Sequence, residues 1–378
     1  MEPAAHICTS RKGASTNFFT ELGSEFDLDP NCLTMKQGNL FDYLKDFSTN
    51  WFDSGRSALR HLAKIGLRPG KILLPEFICE SVIKCFPLED VVFYAVGEDF
   101  RIDENDLLAK VDRETAAVFL MHYFGTLQDE GTLGRVAEAA HEHRAMIIED
   151  ATHSMLSSRC TVGDVVVSSV RKWLPVPRAG VLYSRGPIEA TVVSPAARSC
   201  ENRRVLGFAM KRLYLERSSE SNAYWDVYNR RYRDIFFEEE KRIDIQSEFL
   251  GMSDLSRFIV SCFDCNTIAD RRKANYRYLA QRLANIGVKP AIEISESDCP
   301  FVLPLRVNNR DGLRRHLVEN SVYCAVHWPM DGALRQTRSQ AFRNAETLIS
   351  LPVDQRYEEC DMDFLVGVIE KYDGELVC

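Results

Sequence analysis

From about residue 54 onward, apolar positions recur in two alternating rhythms. The stretch SGRSALRHLAKIG places Ala58, Leu59, Leu62, Ala63 and Ile65 on one helical face, with Ser54 as N-cap and Gly66 as the stop. Short, largely β-branched runs follow: KILLP, VVFYAV, AAVFLMHYFG, AMIIEDA, DVVVSSV and AGVLYS. Each has the length of a strand, and TLGRVAEAAHEHR between two of them reads as a crossover helix. This alternation predicts an α/β fold, a mainly parallel sheet wrapped by helices, with functional groups at the carboxyl ends of the strands.

The rhythm changes between residues 200 and 250, which are charged, aromatic and mostly helical. One long helix is expected from about Asp254 to Leu283. Beyond it, CPFVLPLRV, RDGLRRHLVENSV, YCAVHWP and AETLISLP predict strand, helix, strand and a short final strand. The expected organisation is an N-terminal arm over 1–40, a large α/β domain over 41–260 and a smaller C-terminal α+β domain over 261–378.

Composition narrows the function. At 378 residues and 45% hydrophobic the chain can bury a large core. Its 47 Lys and Arg against 55 Asp and Glu give a net charge of -8, which argues against a nucleic-acid binder that works by neutralising phosphates. Arg-rich stretches such as YNRRYR sit among acids and aromatics and read as solvated helix faces. No window approaches the roughly 18 apolar residues of a membrane span. The start, MEPAAHICTSRKG, has no apolar signal core, and the twelve cysteines lack framework spacing. A cytoplasmic protein is expected. Cys262 and Cys265 lie within the expected long helix without a second pair to complete a zinc site. His141 and His143, two apart on a helix, diverge.

The chemistry should lie at the strand ends. AMIIEDATHS runs apolar to Ile148, delivers Glu149 and Asp150, and places His153 three residues after the aspartate. The run DVVVSSVRK carries Ser168 and Ser169 and then Lys172, followed by a Pro-rich turn. The helix start at SGRSAL offers free N–H groups and a positive dipole end, suited to a phosphate. An anion cradle, a buried acid and a lysine are what pyridoxal phosphate needs. The lysine forms a Schiff base with its aldehyde, the carboxylate holds a proton on its ring nitrogen, and the helix start takes its phosphate.

SGRSAL, HYFG, IIEDATHS and GDVVVSSVRK resemble, in order and spacing, the segments SGT-x-AL, H-x-x-G, IEDaAhs and GD-x-x-x-x-S-F...K of the DegT/DnrJ/StrS-type sugar aminotransferases. These are fold-type I pyridoxal-phosphate enzymes. MSDLSRFIV, RRKANYRYLAQRL, VHWP and LISLPVDQRY also look like family landmarks, so the resemblance spans about residues 50–375. It implies a Schiff-base and proton-shuttling role for Lys172, Asp150 against the pyridinium nitrogen, and His153 near the cofactor's 3-oxygen. It further implies phosphate contacts from Ser169 and the backbone amides of Gly55 and Arg56, and a homodimer with its active site at the two-fold interface. The implied reaction moves an amino group from an amino acid, glutamate foremost, to a keto group, most readily on a nucleotide-linked sugar.

The chain departs from the family at several positions. Where members often stack an aromatic on the cofactor ring, LPEFICES has Cys79, with Phe77 a candidate substitute. The Ser169-to-Lys172 segment is two residues short of the commoner form. The N-Y-R-M-S segment, whose asparagine reaches the neighbouring subunit's phosphate, survives only as FLGMSD. His327 and Trp328 could face the site from the small domain, and His122 and Tyr123 end a strand on its catalytic side. A pyridoxal-phosphate lyase or dehydratase and a non-catalytic ligand-binding scaffold are the alternative readings.

Overall fold

The structure, a computed structural model, describes residues 21–157, 162–188, 194–195, 198–216, 223–330, 339–374 and 376. The opening segment MEPAAHICTSRKG lies outside the described residues. The chain enters through a two-residue strand, β1 (Leu22–Gly23), and then lays down a seven-stranded sheet. Its members are β2 (Ser48–Phe52), β3 (Lys71–Pro75), β4 (Val91–Tyr94), β5 (Thr115–Met121), β6 (Met146–Asp150), β7 (Val165–Ser168) and β8 (Gly180–Ser184). They lie in the order β2-β8-β7-β6-β5-β3-β4. From β3 to β7 every pairing is parallel, and β8 and β2 join antiparallel at one edge. All seven residues of β5 are buried, as a central strand covered by helices on both faces requires.

Each crossover follows from local chemistry. Ser54 caps α1 (Gly55–His61) by accepting a hydrogen bond from the Ser57 amide, and the helix widens into a π turn over Leu62–Gly66. Asp129 caps α2 (Glu130–Glu142), which buries Leu133, Val136, Ala137 and Ala140 against the sheet. Helices α3 (Arg198–Glu216) and α4 (Ala223–Ile245) pack antiparallel, with Phe208 meeting Phe236 and Tyr214 meeting Tyr232.

Two elements differ from the sequence expectation. The helix expected over Asp254–Leu283 is two, α5 (Asp254–Ser261) and α6 (Cys265–Ala284), because Asp264 accepts from the amides of Asn266 and Thr267 and starts a new helix. Lys172 does not stand on a strand: β7 ends at Ser168, and a 3-10 turn over Val170–Lys172 carries the lysine. The Val170 amide donates to Ala179 O at 3.1 Å, closing the Pro-containing turn on itself.

The C-terminal layer pairs β9 (Leu303–Arg306) antiparallel with β11 (Leu348–Leu351), while β10 (Val322–Tyr323) runs parallel to β1. Leu22, Leu279, Leu317, Ile349 and Leu365 share its core with helices α7 (Arg310–Glu319) and α8 (Glu359–Glu370). Among the described residues no helix is long and apolar enough to cross a membrane. Cys262 and Cys265 are buried thiols, and no group of three or more His, Cys, Asp or Glu that could hold a metal occurs among those residues.

Candidate active site

Asp150 ends β6, and Ser169 and Lys172 follow β7, its neighbour in the sheet. Together with Gly55 and Arg56 they line one cleft of about 540 Å³, counting the part open to solvent. Thr152, Arg171, Cys79 and Trp328 complete the part of the wall that bears on the chemistry.

The floor is the start of α1. The first-turn N–H groups of a helix have no acceptor within it, and Gly55 lets this turn pack closely on Ser169. A Cβ there would stand 3.3 Å from Ser169 Cβ. Gly180 on β8 is tighter still, since its Cβ would fall 2.2 Å from the Ser54 carbonyl carbon and 2.4 Å from Gly55 N. Behind this turn, Ser57 Oγ donates to Asp53 at 2.5 Å, and Arg178 pairs with Asp53 at 2.7 Å with both side chains almost fully buried. Leu250 and Gly251 of the FLGMSD segment lie against the same turn of their own chain, the Asp53 amide donating to Leu250 O at 2.8 Å.

The carboxylate is placed by its strand and by the Thr152 amide, which donates to Asp150 Oδ1 at 2.8 Å. Burial raises the Asp150 pKa, working against the Thr152 hydrogen bonds and the nearby Lys172. Burial lowers the Lys172 pKa, favouring the neutral amine. The lysine's base is fixed by its successor. Trp173 is fully buried, its indole donates to Thr152 O at 2.8 Å, its carbonyl accepts from Gln355 at 2.7 Å, and the Arg272 guanidinium lies 4.4 Å over its ring.

His153 does not line the cleft. It is fully buried beside it, stacked on Phe301 at 4.4 Å and on Trp328 at 5.3 Å, with His327 at 5.0 Å. Neither of its ring nitrogens has a hydrogen-bond partner among the described residues, and burial holds its pKa well below the usual histidine range. His327 bonds Ser350 through Nδ1 at 2.8 Å, and burial pushes its pKa down to about 3.

The other residues raised by the sequence divide clearly. Trp328 lines the cleft and packs on Phe77 at 5.2 Å, while Phe77 itself is buried behind it. Cys79 lines the cleft with its sulfur 3.0 Å from Ser81 Oγ. His122 contacts Glu149 at 3.2 Å and the Gln128 amide at 3.1 Å, and Tyr123 donates to Phe77 O at 2.6 Å. Both residues brace the end of β5 and neither lines the cleft. Sequence reasoning passed over Thr152 and Arg171, although each lies within two residues of a predicted site residue.

The donor set fits pyridoxal phosphate. A lysine amine and a buried carboxylate share the cleft with a helix start that a Cβ would crowd, and an imidazole with two orphaned nitrogens stands beside it. Residues 89–163 match the model of the DegT/DnrJ/EryC1/StrS aminotransferase family. No curated protein matches the chain in sequence. Among solved structures, an aminotransferase of the DegT DnrJ EryC1 StrS type from Brucella abortus is 16% identical, with TM-score 0.61 over 93% of this chain and 92% of that one. DesV from S. venezuelae, solved with a ketimine intermediate, is also 16% identical, with TM-score 0.61 over 93% and 91%. The PLP form of the putative sugar aminotransferase Spr1654 from Streptococcus pneumoniae is 13% identical, with TM-score 0.62 over 93% and 94%. The likeness to these structures is one of fold, the fold-type I architecture of pyridoxal-phosphate enzymes. The match in sequence thus covers residues 89–163, and over nearly its whole length the chain is similar to these aminotransferases in fold.

Proposed function

We propose that the protein transfers an amino group from an amino acid, glutamate foremost, to a keto group on a nucleotide-linked sugar, with Lys172 and Asp150 as its catalytic pair. The observation that carries this reading is the meeting of Lys172, Asp150, Ser169 and the start of α1 in one cleft. Bound there, pyridoxal phosphate supplies an electron-withdrawing ring that stabilises negative charge at Cα of the amino donor. Asp150, buried and costly to ionise alone, holds a proton on the ring nitrogen, which gives the carboxylate the positive partner that its surroundings demand. Lys172, biased by burial toward the neutral amine, takes the proton from Cα and returns it. Ser169 with the amides of Gly55 and Arg56 holds the phosphate, while His153, buried beside the cleft, backs its wall through its stacking on Trp328. We further assign the protein to the cytoplasm and to a homodimer, with the large and small domains divided near residue 260.

Three of the similar proteins are tied to sugars: CalS13 from Micromonospora echinospora, a sugar aminotransferase, Spr1654, a putative one, and DesI, solved in the presence of its TDP-sugar product. They support the choice of acceptor. The test is the visible absorption spectrum of the protein with pyridoxal phosphate, beside Lys172→Ala, before and after glutamate. The expected result is a band near the Schiff-base region that Lys172→Ala alters and that glutamate converts to the amine form. A band indifferent to glutamate and to other amino acids would turn the assignment toward lyase chemistry, and no band at all would sink the cofactor reading.

A further inference from the structure

Glu240, near the end of α4, gathers three guanidinium groups. It receives Arg171 through both terminal nitrogens at 2.6 and 2.8 Å, Arg204 at 2.8 Å and Arg56 at 3.0 Å. Arg56 also pairs with Asp244, and Arg204 reaches Glu25 at 3.1 Å. Burial raises the Glu240 pKa, and the arginines more than offset this, bringing it down to about 2. The carboxylate is therefore ionised, a fixed anchor for its three partners.

Two of those partners face the cleft. Arg56 and Arg171 line its wall, each with about a tenth of its side chain exposed, whereas Arg204 is fully buried behind. Arg56 is the second residue of α1, next to Gly55, and Arg171 lies two residues after Ser169. Both cations thus stand at the phosphate end of the cleft. Glu240 occupies the terminal nitrogens of Arg171, yet its Nε is buried without a hydrogen-bond partner. The neutral donors at that end, one hydroxyl and the first-turn amides, do not balance a dianion, and a guanidinium held close by does.

Building on the cofactor assignment, we propose that the side chains of Arg171 and Arg56 complete the phosphate subsite from within the subunit, with Glu240 as the positioning residue that holds them there. The helical hairpin of α3 and α4 is thereby part of the cofactor site, although no residue of it lines the cleft among those described.

The test is equilibrium binding of pyridoxal 5'-phosphate and of pyridoxal, which lacks the phosphate, to the full-length cofactor-free protein, read by absorbance and tryptophan fluorescence. Wild type is expected to prefer pyridoxal phosphate. Arg171→Met and Arg56→Met should each shrink that preference by about ten- to hundredfold, the range for one charge-assisted hydrogen bond, with pyridoxal affinity unchanged. Arg171→Lys, which keeps the charge, should restore part of it. Glu240→Ala should shrink the preference in wild type and add little once both arginines are gone, because it acts through them. Variants that weaken both ligands alike, or leave the preference intact, would overturn the inference. If Arg171→Met does not fold, Arg171→Lys and Arg56→Met decide it, and a wild-type preference in both refutes it. Wild type that binds neither ligand would instead bring down the cofactor assignment itself.

Discussion

Two imidazoles 5.0 Å apart, close to an amine, sit in a shell of Phe124, Phe301 and Trp328. None of these groups gains a counter-charge from another, so burial drives all three toward their neutral forms. For stability the sign follows directly. His327 takes a proton in the fold only near pH 3, against an ordinary value of 6.5. Between these limits the unfolded chain holds more protons, and stability falls as pH falls, by about 1.4 kcal/mol per pH unit for each such histidine. Urea unfolding of wild type and His327→Gln from about pH 7 down to about pH 5 should show a shallower decline in the variant. Equal slopes would mean that His327 protonates normally in the fold. The same burial makes a prediction for Lys172. Pyridoxal should add to the cofactor-free protein with a pH midpoint below the 10.5 of an ordinary lysine, and a midpoint at or above that value would contradict the buried amine.

At the scale of elements, the start of α1, the proposed phosphate cradle, depends on one strand and one buried ion pair. A methyl at Gly180 cannot be accommodated without moving the Ser54–Gly55 backbone, and overpacking of this kind costs about 1–3 kcal/mol. Gly180→Ala should therefore lower thermal stability and weaken pyridoxal phosphate binding more than pyridoxal binding. Breaking the Asp53–Arg178 pair strands a buried charge, so Arg178→Met should cost about 3–5 kcal/mol in urea unfolding. Neither partner was legible in the sequence, because residues 125 apart meet only through the antiparallel pairing of β2 with β8. The elements with strong local signals were legible: β3, β5, β6, β7, β8 and the crossover α2. The edge strand β2 was not, since STNWF lacks an apolar alternation, and its residues are only partly buried before Phe52. The break at Asp264 was also missed, because the apolar rhythm continues across it while the cap that resets the helix is a single side chain.

For the molecule as a whole, the cleft is a joint construction. The sheet supplies Asp150 and the α1 start, while Trp328 comes from the C-terminal layer, and Phe301 and His327 back it through their stacking around His153. Asp150 and Lys172 were legible as candidates because one ends a strand and the other closely follows one, on the side where sites lie in this fold. Trp328 could only be left open, since its approach depends on how two layers of the chain dock. A ligand held by both layers stabilises only the docked arrangement, so saturating pyridoxal phosphate should raise Tm, by more in wild type than in Trp328→Ala. Equal shifts would place the whole of the binding on the sheet. The anchoring of Trp173 carries a last consequence. With the backbone beside Lys172 pinned to Thr152 on one side and to Gln355 on the other, the lysine works like a crane on a bolted footing. Its amine can swing through the arc that its own torsions permit, but the pivot cannot travel. In the proposed reaction every atom to be protonated or deprotonated must then be delivered within that arc, which makes the reach of one side chain the ruler by which substrates are admitted.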